Sequence, residues 1–122
     1  MKARPYTVKR VSRLPRIKFE GMDINFLIDK KEMKGKMAAY FIRMSPGTVV
    51  PPSYHKVANE IIVVLSGSGE ARLNKDRVKI RKGDVMLVRP RTWHSFTTGR
   101  SSLRLLAVLS PYVDSRTDLY HR

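Results

Sequence analysis

The stretch from Pro51 to Gly69 reads PPSYHKVANEIIVVLSGSG, and it sets His55 five residues ahead of Glu60 at the entrance to a β-branched run. Side chains in a strand alternate, so Glu60, Ile62 and Val64 share one face while Ile61, Val63 and Leu65 share the other. A carboxylate on an apolar strand face is costly to bury unless something pairs it. A metal ion would do so, and so would a Lys, an Arg or the solvent at a barrel mouth. Pro51 and Pro52 do not suit a central strand, and SGSG is expected to end the run.

Upstream of this stretch, Ile24, Phe26 and Ile28 alternate, KKEMKGK forms a polar loop containing Gly35, and MAAYFIRM over 37–44 resumes an extended run, which predicts a hairpin. Downstream, EARL and RVKI flank NKD, so Ala71, Leu73, Val78 and Ile80 are expected to face the core while Arg72, Arg77, Lys79 and Arg81 look outward. KGD turns the chain into VMLV, and LRLLAVL is a last long strand before Pro111. No window has helical period and no repeat is visible. Short strands at regular spacing predict an all-β sandwich or barrel.

The length, 122 residues, corresponds to a single domain over 1–122. Absence of Cys excludes disulfides and thiolate sites. The apolar runs reach five or six residues, against about 20 for a bilayer span, so no membrane partner is expected. The N-terminus MKARPYTVKRVSRLPRIK lacks the apolar core of a secretory signal, and Pro5 and Pro15 would interrupt a mitochondrial presequence helix, so a cytoplasmic protein is expected.

The net charge of +15 is concentrated in two segments: eleven Lys and Arg against four acids over residues 1–36, and ten against two over residues 72–104. Such a field favours anionic partners, whether nucleic acid, acidic protein or a small anion. The simpler reading is a solvated basic surface of a thermophilic kind, in a chain without Gln or Cys.

A second histidine, His94, follows a turn in GDVMLVRPRTWHSF. Two histidines and a carboxylate form the ligand set that suits iron(II) while leaving positions open. The two stretches together resemble the paired motifs of the cupin superfamily. The first family motif runs Gly, five residues, His, one residue, His, three or four residues, Glu, six residues, Gly. Here it reads Gly47, Ser53 in the first His slot, His55, Glu60 and Gly67. The second runs Gly, five residues, Pro, one residue, Gly, two residues, His; Gly83 and His94 match it, with Arg89 and Arg91 in the Pro and Gly slots.

This resemblance covers residues 37–109. It implies a small antiparallel jelly-roll barrel with N-terminal extension strands, frequent homodimerisation, and His55, Glu60 and His94 as ligands of a divalent metal such as Fe, Mn, Ni or Zn. Ser53 occupies the place of a fourth ligand, and with Arg89 and Arg91 it is a candidate for substrate binding. Guanidinium groups grip carboxylate or phosphate two-pronged, so an anionic or sugar-like small molecule is expected. Arg91, standing where the family has Gly, reshapes the turn if that position needs positive φ.

The family spans dioxygenases, decarboxylases, isomerases and non-catalytic modules, so the reaction must come from the site. Three readings follow: a metal-dependent enzyme with no catalytic base identified, a metal-free ligand-binding or sensing barrel, and a nucleic-acid binder using the basic hairpin. Trp93 is expected to pack a barrel rim, Phe96 to line the interior, Tyr40, Met44 and Met86 to belong to the core, and His121 to be disordered.

Overall fold

A computed structural model describes residues 4–112 and the backbone of residues 119–121. It is all-β: a 3-10 turn at Val11–Arg13 precedes ten strands, and there is no α-helix among the described residues. The strands are β1 (Arg16–Phe19), β2 (Met22–Ile28), β3 (Ala38–Met44), β4 (Ser53–His55), β5 (Asn59–Leu73), β6 (Asp76–Arg81), β7 (Val85–Val88), β8 (His94–Thr97), β9 (Leu103–Ser110) and β10 (Leu119–His121). Every pairing is antiparallel, in the order β1-β2-β3-β9-β5-β8-β4-β10, with β6 and β7 also on β5. The sheet curls into a jelly-roll half-barrel, with β1 and β2 as the N-terminal extension.

Strand β5 organises the barrel, and here the sequence expectation needs correction. SGSG does not end the strand, which runs for 15 residues straight through it. Its first half pairs with β7 and β9, its second half with β6 and β8. The bend between the halves is possible because Gly67 takes φ 82 and lies so close to β9 that a Cβ there would stand 1.8 Å from the Ser102 carbonyl oxygen. Glycine therefore acts as a corner in a continuous strand.

The expected alternation holds along the inner faces. Glu60, Ile62 and Val64 are buried, and so are Leu103, Leu105, Ala107 and Leu109 of β9. Met44, Val64, Leu103 and Leu105 fill one end of the barrel almost completely shielded from solvent. Each such side chain contributes roughly 1.5–3 kcal/mol to stability. Arg72, Arg77, Lys79 and Arg81 are exposed as the alternation predicts. Val78 is not in the core: at 40% exposure it sits on β6, which pairs with β5 alone, and cover over that face stops at Ile80. His121, expected to be disordered, instead ends β10, whose backbone pairs with β4.

The N-terminal segment is fastened by a buried amide. Asn25 donates through Nδ2 to the carbonyls of Leu14 and Pro15 and accepts from the Arg43 guanidinium at 2.8 Å. The β1–β2 hairpin, turning at Glu20 and Gly21 with φ 52 and 85, is thereby held against the barrel.

Candidate metal centre

Three strands bring the motif residues together. His55 closes β4, Glu60 stands near the start of β5 and His94 opens β8. Residues 53 and 94 are cross-strand partners, which sets β4 beside β8, and Glu60 reaches them from the half of β5 that pairs with β7 and β9. One ligand atom from each of His55, Glu60 and His94 lies within 4.8 Å of the other two. The imidazole rings stack at 5.5 Å with an interplanar angle of 20°, and Oε1 of Glu60 lies 3.9 Å from Nε2 of His55 and 3.3 Å from Nε2 of His94.

Burial governs the electrostatics. It pushes the Glu60 carboxyl up to about 7, opposed by the neighbouring His55, and it lowers His94, opposed by that ring's hydrogen bond to Thr92. Nδ1 of His94 lies 3.1 Å from the Thr92 carbonyl oxygen, which can only accept, so Nδ1 carries the hydrogen. Nε2 then presents a lone pair towards Glu60. Although the 3.3 Å separation falls within ion-pair range, burial favours the neutral His94, so whenever the Glu60 carboxyl is ionised this is a contact between two acceptors. Consistently, Oε1 of Glu60 is buried without a hydrogen-bond partner. Orphan acceptors of this kind call for a proton or a cation.

Beside the three residues lies a cavity of about 170 Å³ whose described lining includes Ser53, Ser95 and Glu20. Ser53, in the slot of the family's first histidine, is buried and faces this space. Arg89 and Arg91 are exposed and lie outside the described lining. Arg91 adopts φ 64 and donates its backbone N–H to the His55 carbonyl at 2.7 Å, so it keeps a left-handed turn suited to glycine. Phe96 and Tyr40 line the cavity, Met44 and Met86 belong to the packed core, and Trp93 packs edge-on to Tyr54 at 4.8 Å. Sequence reasoning missed Glu20 and Tyr112 in the lining. The only local signal for Glu20 was the turn-forming Glu-Gly pair.

The cupin-domain family profile matches residues 40–109. The chain belongs to the cupin family. No curated protein sequence matches this cupin. Among solved structures it resembles a nucleoside dehydratase from Streptomyces, at 18% identity and TM-score 0.79 over 96% of this chain and 91% of that one. It also resembles a predicted oxalate decarboxylase from Thermotoga maritima, at 24% identity and TM-score 0.78 over 86% of this chain and 99% of that one. A third likeness is to a polyketide cyclase from Streptomyces resistomycificus, at 20% identity and TM-score 0.76 over 86% and 79%. At these identities the likeness concerns the fold.

Proposed function

We propose that this cupin binds one divalent transition metal through His55, Glu60 and His94 and acts as a metal-dependent enzyme on a small molecule held in the adjoining cavity. The observation that carries this reading is the buried, unpartnered Oε1 of Glu60 facing the lone pair of His94 Nε2. Two imidazoles and a carboxylate suit zinc, manganese, nickel or iron(II) alike. Bound there, such a metal supplies a Lewis-acid position for a ligand oxygen, with redox chemistry added if it is iron(II).

The chain's own groups do the rest. Glu60 contributes one negative charge, and the Thr92 carbonyl fixes the His94 ring by accepting its Nδ1 hydrogen, an outer contact that typically strengthens a metal ligand. Ser53 leaves open the corner that an imidazole fills in the family motif. The walls around the cavity are largely apolar, and Glu20 is the other carboxylate of the described lining. Enzymes named as dehydratase and cyclase share the barrel, which supports catalysis as its use here. Homodimerisation belongs to the same reading: Ile61 of β5 and Val85 and Leu87 of β7 leave an outward apolar face on which a second copy would pack, and sedimentation velocity measures it.

Elemental analysis of protein purified without a histidine tag, followed by calorimetric titration of metal into chelator-treated protein, tests the proposal. One equivalent per chain is expected, and Ser53→His is expected to bind more tightly by adding an imidazole to a preformed site. Equal, negligible heats from wild type and Ser53→His would sink it.

A further inference from the structure

The cavity's lining restricts what it can hold. Phe19, Phe26, Tyr40, Phe96 and Tyr112 all face it, whereas no Lys or Arg does so among the described residues, in a chain where 25 of 122 residues are cationic. The anion expected from Arg89 and Arg91 would find no guanidinium there. Away from a metal held by the triad, a carboxylate or phosphate set against these apolar walls would find no paired cation, which is strongly unfavourable.

Geometry adds a second constraint. Strands β1–β3 and β4–β8 stand towards opposite ends of the strand order yet line one cavity, so the sheet's curl sets the N-terminal hairpin across from the triad. On that hairpin Ile17 pairs with Ile24 and Phe19 with Met22, while Phe26 meets Tyr40 edge-on at 4.9 Å. Ile17 and Phe19 are 41% and 38% exposed although their side chains face the cavity. An apolar wall left half open in this way gains from a flat apolar surface laid against it. A sugar would bring hydroxyls on every side, and those facing Ile17, Phe19 and Phe26 would lose water without gaining partners.

Size sets the third limit. The cavity measures about 170 Å³. An apolar protein cavity of about 150 Å³ takes up benzene. We infer that the ligand, or the part of it that enters the barrel, is an uncharged single ring that lies against Ile17, Phe19 and Phe26 and directs a hydroxyl or carbonyl oxygen at His55, Glu60 and His94. Placement of the oxygen rests on the metal reading above; placement of the ring does not.

Three probes separate the possibilities: phenol as ring with one oxygen, malonate as dianion, and xylose as polyol ring. Each is titrated into metal-free and zinc-treated protein, with the methyl resonances of Met22 and Ile62 reporting where it binds. Phenol is expected to bind at least about tenfold more tightly than malonate or xylose in both forms, to shift both methyls, and to bind more tightly still with zinc. Phe19→Ser, on an edge strand, should weaken phenol about tenfold while leaving zinc affinity unchanged. Phenol binding that ignores bound zinc overturns the placement of the oxygen and upholds the ring, and a protein that takes no zinc overturns the metal reading as well. Tighter binding of malonate or xylose overturns the inference with the metal site intact. Phenol that fails to bind, or binds without moving either methyl, overturns it too.

Discussion

Nε2 of His94 lies 3.3 Å from Oε1 of Glu60, and when the carboxyl is ionised neither atom has a hydrogen to give the other. The pair is therefore at ease only with a proton or a cation between them, and the arrangement of three strands holds it there. Replacing His94 with Gln removes the imidazole while keeping a polar side chain of similar reach. Zinc affinity is expected to fall by at least about 100-fold with the far-ultraviolet spectrum unchanged, since even outer-contact losses cost 10–100-fold. A variant that keeps wild-type affinity would remove His94 from the ligand set.

The same pair makes stability depend on pH. Burial raises the Glu60 carboxyl from the ordinary 4.5 to about 7. Below the ordinary value both folded and unfolded chains hold the proton. Between the two values the unfolded chain releases it and the folded chain does not, so metal-free protein loses stability as pH rises, by a few kcal/mol at most once about pH 7 is passed. His94, lowered by burial, works oppositely: its cost appears on acidification and is relieved as pH rises through the ordinary histidine value. Urea unfolding of metal-free wild type and Glu60→Gln across pH 4–8 separates the two. Relative to the variant, the wild type should weaken between about pH 4.5 and pH 7 and level off above that; parallel curves would show that Glu60 titrates normally.

Gly67 allows a sharper structural test. An added Cβ would meet the Ser102 carbonyl oxygen at 1.8 Å, and the residue also has φ 82. Backbone cannot yield as a side chain tip can, so Gly67→Ala should cost about 3 kcal/mol or more. Gly83→Ala, at φ 95 with open space around its Cβ, is the control for the dihedral alone and should cost less. Equal midpoints in urea for the two variants would argue against a close corner in β5.

Arg91 predicts a gain. Its φ of 64 costs a side-chain-bearing residue about 1–2 kcal/mol, partly offset because glycine loses more chain entropy on folding. Arg91→Gly keeps the N–H donated to His55 and should raise stability by up to about 1 kcal/mol without changing metal affinity. A clear loss of stability would mean that the guanidinium makes a contact outweighing the strain.

Alternation is a local property, and it was legible. Glu60, Ile62 and Val64 face inward because strand period is two residues, and His55, Glu60 and His94 stood out because they fill slots of the paired cupin motifs. The extended character of 22–28, 38–44 and 103–110 followed from β-branched and apolar composition. Other features depend on which distant segments the curl brings together. SGSG reads as a stop when judged by its neighbours, and only the contact between Gly67 and Ser102, 35 positions apart, shows it to be a corner inside β5. Whether Val78 is covered depends on the width of the opposite layer, and whether Arg89 lines a cavity depends on which way its turn leaves the barrel. The aromatic wall formed by the β1–β2 hairpin, with Glu20 at its tip, comes to face the triad through the pairing of β1, β2, β3, β9 and β5 in succession. Sequence by itself thus determined the all-β character, most of the inward faces and the three side chains that converge. What shares the cavity with them was decided by tertiary structure, because cavity walls are set by sheet curvature acting over the whole chain, and no local period encodes that curvature.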